Sequence, residues 1–143
     1  MTPSFTWDDA WQLGVEAMDG HHHEFVECVA RMIDSPNEDL PHALAAFIDH
    51  ANRHFAVEDL SMRETAYGSA GCHVDEHAAV LRSAEEVRLA LGQGRTGVVR
   101  SFARALAEWF PEHAKVMDQG LARWLVQREL GGAPVVIRRR VPA

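Results

Sequence analysis

The sequence has little lysine, little cysteine and no long hydrophobic run, and each shortage excludes a class of protein. One of its 143 residues is a lysine, Lys115, and its formal net charge is -7. It therefore lacks the basic surface that general nucleic-acid binding requires. Its two cysteines, Cys28 and Cys72, are isolated and form no CxxC motif, which argues against a disulfide framework. No apolar run approaches the roughly 18 residues that a membrane-spanning helix needs.

The remaining composition is that of an ordinary globular domain. Hydrophobic residues make up 47% and charged residues 24% of the chain, and its length suffices for one domain with a hydrophobic core. The N-terminal stretch MTPSFTWDDAWQ has neither the basic start nor the apolar core of a signal peptide. We therefore expect a cytoplasmic monomer with no nucleic-acid partner and no membrane span.

Apolar residues recur every three or four positions along four segments, which is the pattern of amphipathic helices. Turn-forming stretches, DSPN, YGSAG and GQGRTG, separate the segments, and GGAP follows the last one. Four such helices with short connections favour an all-α fold, an antiparallel up-down-up-down four-helix bundle. We predict helices over about 20–34, 39–66, 72–91 and 97–130, with Asp19 as the N-cap of the first.

Two further segments flank the predicted helices. An extended, irregular N-terminal arm covers residues 1–18, and a C-terminal tail covers residues 132–143 and includes three consecutive arginines. We expect residues 1–131 to form the bundle domain and the tail to be a solvated or loosely docked terminus.

Histidines and carboxylates interrupt the apolar stripes of the predicted helices. His54 and Glu58 lie one helical turn apart on the second helix, and His73 and His77 repeat that spacing on the third. Counted from the loops that join neighbouring helices, the residues of this type lie at similar heights, within about one turn at 1.5 Å per residue. The sequence thus predicts one layer, near one end of the bundle, that contains His22, His54, Glu58, His73, His77, His113 and Asp118.

The run of three histidines, His21 to His23, contributes one member to this layer. The positions three, four, seven and eleven residues after His22 are all apolar, whereas His23 leads to acidic residues and His21 to a weaker apolar alignment. We expect His22 to face the core and its two neighbours to face solvent, although a supporting contact with a ligand stays open for His21. His42 and His50 lie among polar residues and are expected at the surface.

Five imidazoles and two carboxylates buried together, with no lysine or arginine among them, would cost many kcal/mol without a partner. A cation at their centre removes that cost, and seven protein ligands exceed the four of a tetrahedral zinc site. They suit two six-coordinate first-row metal ions that share carboxylate bridges and an oxygen bridge, with one position left open. Imidazole and carboxylate ligands without thiolate favour iron, and leave manganese and zinc open.

Four motifs resemble those of the hemerythrin family, and in particular its stand-alone bacteriohemerythrins, over about residues 5–126. The arm FTWDDAWQLGVEAMDGHH ends in the family's Asp-x-x-His spacing. HFAVEDLSM matches His-Phe-x-x-Glu, HVDEH matches His-x-x-x-His, and WFPEHAKVMD matches Trp-x-x-x-His followed by His-x-x-x-x-Asp. Any one of these motifs is weak alone, but four in this order and spacing make the resemblance specific.

The resemblance implies reversible dioxygen binding at a non-haem di-iron centre, for oxygen storage, delivery or buffering. It implies two iron ions, Fe2+ or Fe3+, that share an oxo or hydroxo bridge, and dioxygen as the ligand. An oxygen-consuming enzyme is then the expected recipient. By resemblance, His73, His77 and His113 bind one iron, His22 and His54 bind the other, and Glu58 and Asp118 bridge them.

The resemblance also implies an apolar oxygen pocket that contains no general acid or base, which favours carriage over enzyme activity. Where the family usually has a bulky aliphatic residue, this sequence has Ala114, so we expect a larger pocket or a channel. Pro111, inside the predicted fourth helix, should kink it, and the kink is either tolerated or helps to aim His113 and Asp118. The residues that match the family's pocket are Phe25, Phe55, Trp109, Phe110 and Ala114.

Two other functions compete with oxygen carriage. One is a di-iron oxidase, peroxidase or nitric-oxide-handling protein, but the paired Glu-x-x-His motifs of ferritin-like oxygenases are absent from the sequence. The other is an oxygen or redox sensor. Sensors of this family are typically fused to a signalling module, and no segment of this sequence is long enough to be one.

Overall fold

The computed structural model describes residues 2–129, and the predicted tail and its boundary at residue 131 lie outside this range. The described chain is helical and contains no strand between residues 2 and 129, so the predicted all-α fold is confirmed. None of these helices is long and apolar enough to cross a membrane. The helices are α1 (Glu16–Asp34), α2 (Leu40–Glu64), α3 (Ala70–Gly92), α4 (Thr96–His113) and α5 (Gln119–Glu129), and a π-helical turn (Ala114–Asp118) joins the last two.

The helices form a ring of antiparallel neighbours. Helix α1 packs against α2 and α4, and α3 packs against the same two helices. Short connections join consecutive helices, which is the arrangement of an up-down-up-down bundle. The fold therefore agrees with the prediction, and α5 continues the fourth helical segment beyond the π-helical turn.

The apolar side chains form two separate clusters inside the bundle. The larger cluster contains the fully buried rings of Phe25, Phe47, Phe55 and Phe110, each of which contributes about 1.5–3 kcal/mol by burial. A smaller cluster around Met62 lies near the other end. The seven predicted metal-ligating residues lie between these two clusters along the helices, so apolar packing closes the polar layer on both sides.

The N-terminal arm packs across the outside of α1 and α4. The Trp7 ring stacks on the ring of His23 with a centroid distance of 3.7 Å. The Trp11 ring packs edge-on against the ring of Phe110 with a centroid distance of 5.3 Å. The arm therefore covers one side of the large apolar cluster, close to the polar layer.

Helix α1 begins four residues earlier than predicted, because Asp19 does not serve as its N-cap. The N-cap is Val15, and Asp19 lies in the first turn. The buried Asp19 carboxylate turns back to the arm, where Oδ1 accepts from the Leu13 N–H at 2.8 Å and Oδ2 from the Gly14 N–H at 3.0 Å. Gly14 has a φ of 85°, a conformation that favours glycine. Asp19 thus fastens the arm to the helix that carries His22.

The predicted fourth helix is irregular after His113. Helix α4 continues through Pro111 to His113, and the N–H of Gln119 then bonds to the carbonyl of Ala114, five residues back. In a regular α-helix, a residue five positions away is rotated by about 140°. A π-helical turn brings residues five apart onto one face. This turn explains how His113 and Asp118 reach the same layer.

We expect Asp19→Ala to lower the free energy of unfolding by about 1–3 kcal/mol, because two partly buried N–H groups lose their acceptor. Urea unfolding followed by circular dichroism measures the change. The matched control is Glu86→Ala, an exposed position on α3, which should change stability by less than about 0.5 kcal/mol. Equal effects of the two substitutions would contradict the role of Asp19.

Candidate metal centre

The structure brings all seven sequence-predicted ligands together in one buried layer. Each has an exposed fraction of 4% or less, and every helix of the bundle contributes at least one of them. Helix α1 carries His22, α2 carries His54 and Glu58, α3 carries His73 and His77, α4 carries His113, and the π-helical turn carries Asp118.

The two oxygens of Glu58 face different histidines. Oε2 lies 2.9 Å from Nε2 of His54 and 3.3 Å from Nε2 of His22. Oε1 lies 3.3 Å from Nε2 of His77 and 3.5 Å from Nε2 of His73. This carboxylate therefore spans two groups of imidazoles.

Asp118 spans the same two groups from the opposite helix. Its Oδ1 lies 2.9 Å from Nε2 of His73 and 3.3 Å from Nε2 of His113, while its Oδ2 lies 3.2 Å from Nε2 of His22. The layer thus has a three-histidine half (His73, His77 and His113) and a two-histidine half (His22 and His54), with one oxygen of each carboxylate facing each half.

The ligand atoms of the three-histidine half point at a common centre and not at one another. Although they are buried and approach within 2.9–3.5 Å, they form no hydrogen bond with any described residue. Buried polar atoms without partners are costly, and a cation between them would supply the missing interaction. These atoms are Nε2 of His73, His77 and His113, Oε1 of Glu58 and Oδ1 of Asp118.

The cluster divides into two groups that can each hold a metal ion. The atoms of the three-histidine half and the two carboxylates lie within 4.8 Å of one another, and His22, His54 and Glu58 form a second group of the same kind. Nitrogen and oxygen donors without sulfur suit first-row ions such as iron. The donor set therefore fits a pair of metal ions that share Glu58.

Two acidic residues outside the layer orient the three-histidine half. Oδ1 of Asp59 lies 2.8 Å from Nδ1 of His77, and Oε1 of Glu76 lies 2.7 Å from Nδ1 of His113. Nε1 of Trp109 also donates to Glu76, at 3.2 Å. A carboxylate at Nδ1 holds the proton there and leaves the Nε2 lone pair free for a metal.

Sequence reasoning missed both of these acidic residues. Their positions in the sequence could have indicated them, because each is next to a predicted ligand: Asp59 follows Glu58, and Glu76 precedes His77.

The charges of the layer shift the pKa values of its members. Burial opposes protonation of His22 and His73, but the carboxylates of Asp118 and Glu58 outweigh it and raise the pKa of each imidazole to about 9. Burial raises the pKa of the two carboxyl groups, but close contacts with the surrounding histidines lower it below the usual range. Burial lowers the pKa of His54. In the metal-free protein, protons thus supply part of the positive charge that the carboxylates require.

Four of the five predicted pocket residues, Phe25, Phe55, Trp109 and Phe110, lie near the rings of the ligands. Phe55 stacks on His77 with a centroid distance of 4.0 Å, and Trp109 stacks on His113 at 4.3 Å. All five are buried except Trp109, which is partly exposed. In the two-histidine half, the ring centroid of Phe110 lies 5.4 Å from that of His22, and the ring centroid of Phe25 lies 6.3 Å from that of His54. The two phenylalanine rings stack on each other with a centroid distance of 5.1 Å.

Of the four histidines predicted at the surface, three are at least partly exposed. His23 and His42 are exposed and His21 is partly exposed. The prediction for His50 was wrong, since only 3% of this residue is exposed. His50 lies one turn before His54 on the seam between α1 and α2, so it is buried although its polar neighbours in the sequence, Asp49 and Arg53, are exposed.

We expect the metal-free protein to lose stability as the pH rises from about 6.5 to about 9. A raised histidine pKa contributes stability that is fully present below the unfolded value of 6.5 and is lost through the folded value. The lowered pKa of His54 acts only below about pH 6.5, outside this window. Urea midpoints at the two pH values measure the effect.

The control for this pH dependence is the metal-loaded protein. Metal ions replace the protons and bind more tightly as histidines deprotonate, so the loaded form should gain stability over the same window. A metal-free protein that is equally stable at both values would contradict the charge balance described for the layer.

The chain is similar to known proteins over most of its length. Residues 13–125 match the family described as the hemerythrin HHE cation binding domain. The chain is 36% identical over 126 residues to the bacteriohemerythrin of Ralstonia nicotianae, covering 88% of this chain and 92% of that protein. It is 25% identical over 119 residues to the bacteriohemerythrin of Pseudomonas aeruginosa, covering 80% and 76% respectively.

The fold also matches two hemerythrin crystal structures, of mutants with alanine or tyrosine in place of one leucine. Each match has a TM-score of 0.75 at 21% identity and covers 82% of this chain and 94% of the other. The family match extends over the arm junction and all four helical segments, and the buried cluster is able to bind metal. The chain therefore belongs to the hemerythrin family.

Proposed function

We propose that this protein binds dioxygen reversibly at a non-haem di-iron centre and thereby stores, delivers or buffers oxygen. The observation that carries the proposal is the orientation of Glu58 and Asp118, whose two oxygens each face different halves of the histidine layer. Two ferrous ions with an oxo or hydroxo bridge would supply two electrons to bound oxygen. We assign one iron to His73, His77 and His113, the other to His22 and His54, and the bridging role to Glu58 and Asp118.

The number of ligands leaves one position open. Three imidazoles and two carboxylate oxygens would hold an ion in the three-histidine half. The two-histidine half offers one imidazole fewer, so an ion held there would have room for a further ligand. An open coordination position is the requirement for an exogenous ligand.

Apolar rings cover the two-histidine half. Phe25 and Phe110 stack on each other beside His22 and His54, and both are buried. These rings would keep water and protons away from a ligand held in this half. The side chains assigned to the oxygen pocket, Phe25, Phe55, Trp109, Phe110 and Ala114, include no general acid or base.

The acidic residues near the layer do not alter this assignment. Asp59 and Glu76 are engaged with the Nδ1 atoms of His77 and His113, on the outer side of those rings. The hemerythrin family consists mainly of oxygen-binding, non-enzymatic proteins, and we propose that this chain is a carrier and not an enzyme.

We expect the protein to bind two iron ions per chain and to develop a visible charge-transfer band when the reduced form meets oxygen. The band should disappear when oxygen is removed under argon and return when oxygen is added again. Optical titration with iron analysis measures both quantities. Immediate conversion to the diferric form, with no recovery under argon, would contradict carriage and favour an enzyme or a sensor.

A cavity beside Ala114 bears on how oxygen reaches the centre. It has a volume of about 310 Å³ and lies between the arm and the fourth helical segment. Trp11 and Leu13 line its arm side, and Pro111, Ala114 and Gln119 line its helix side. Because Ala114 has the smallest side chain that a β-carbon allows, we propose that it widens the access route to the oxygen pocket.

We expect Ala114→Ile to lower the rate of oxygen release and the rate of autoxidation, each by several-fold, because the larger side chain narrows this cavity. Stopped-flow release and the decay of the oxygenated spectrum measure the two rates. Ala45→Ile, at an exposed position on α2, introduces the same β-branched residue and should leave both rates unchanged. Unchanged rates in Ala114→Ile would refute the access route.

A further inference from the structure

The five ligand imidazoles are not equally supported on their outer nitrogens. Nδ1 of His77 and of His113 each meets a carboxylate. Nδ1 of His22, His54 and His73 is buried and has no hydrogen-bond partner among residues 2–129. Metal-binding histidines almost always donate this N–H to a carboxylate, a carbonyl or water, so a missing partner is a feature that requires explanation.

A second buried nitrogen without a partner lies beside His54. His50 is one helical turn earlier on α2, and its ring centroid lies 5.2 Å from that of His54. Its Nε2 is buried and forms no hydrogen bond with any described residue. Two buried imidazole nitrogens without partners therefore belong to neighbouring rings at the seam between α1 and α2.

The protonation states of the two rings are complementary. A metal ion on Nε2 of His54 leaves its proton on Nδ1, which makes Nδ1 a donor. Nδ1 of His50 lies 3.4 Å from Oε1 of Glu24, and a proton there leaves Nε2 of His50 as an acceptor. With its proton on Nδ1, the His50 ring has one donor and one acceptor.

We propose that His50 is the positioning residue of the two-histidine half: its Nε2 accepts the Nδ1–H of His54, directly or through one water molecule, and Glu24 holds its own Nδ1–H. The series of contacts from Glu24 through His50 to His54 then orients a ligand imidazole in this half, as Asp59 and Glu76 orient His77 and His113 in the other. The inference rests on the metal centre of the proposed function, but not on oxygen binding. Positioning partners of this kind typically change metal affinity 10–100-fold.

The experiment measures how fast a chelator removes ferrous iron from the loaded protein under anaerobic conditions. In His50→Phe, which keeps a ring of similar size but has no acceptor, one of the two iron equivalents should leave at least about 10-fold faster than in the wild type. In His50→Gln, whose amide oxygen can occupy the place of Nε2, release should return toward the wild-type rate. Thermal unfolding of the metal-free forms verifies that both variants fold.

Two control variants separate this role from packing and from a neighbouring histidine. His42→Phe, on the exposed face of the same helix, should leave the release rate unchanged. His21 also lies near His54, with a centroid distance of 5.3 Å, so His21→Phe tests whether it is the acceptor instead. Faster release in His21→Phe together with an unchanged rate in His50→Phe would overturn the proposal.

Other outcomes are equally decisive. Equal acceleration in His50→Phe and His50→Gln would show that His50 acts by packing alone. Should His50→Phe fail to fold, Glu24→Gln at an exposed position replaces it. The proposal then requires iron release that is faster than in the wild type, by a factor smaller than the one expected for His50→Phe. A wild-type protein that binds no iron would reject the proposed function itself, whereas two tightly held irons with no effect of His50 would reject only this inference.

Discussion

The structure depends on keeping five imidazoles and two carboxylates out of water at one height in a helical bundle. Such a layer is stable only if each nitrogen and oxygen has a partner. The helices provide part of this by placing Glu58 and Asp118 on opposite sides of the histidines, so that negative charge faces imidazoles throughout. The apolar clusters on both sides and the arm that Asp19 fastens to α1 then exclude solvent. The packing of this end of the bundle therefore follows from the electrostatics of the layer.

The two halves of the layer differ in their surroundings, and the difference matches the roles that we propose. Carboxylates outside the layer hold His77 and His113, which suits an ion whose coordination is complete. Phenylalanine rings cover the two-histidine half, which suits an ion that must exchange a neutral diatomic ligand in a dry environment. The layer thus contains one metal position whose histidines are held by outer carboxylates and one that is surrounded by apolar rings. Glu58 and Asp118 reach both positions.

Much of the fold and the composition of the layer follow from helical periodicity alone, since a period of 3.6 residues determines which side chains share a face. This suffices to select His22 among three consecutive histidines. Periodicity does not show which outward-facing residue meets a neighbouring helix, and for this reason it misassigned His50 to the surface. It also assumes regular helices, so the π-helical turn could not be foreseen. Asp19 was misread because a carboxylate at the start of a helix can bond to the preceding chain as readily as cap the helix.

The π-helical turn has a consequence for how this segment can vary. It contains one residue more than an α-helical turn, and that residue sets the phase of Asp118 and of all of α5 relative to His113. A deletion or insertion here would rotate the bridging carboxylate and the apolar face of α5 together. Substitution within the turn is better tolerated at exposed positions. Val116 is 60% exposed, so the turn depends on the presence of a residue there and not on its side chain. The number of residues in this segment is therefore constrained, whereas the identity of those that face solvent is not.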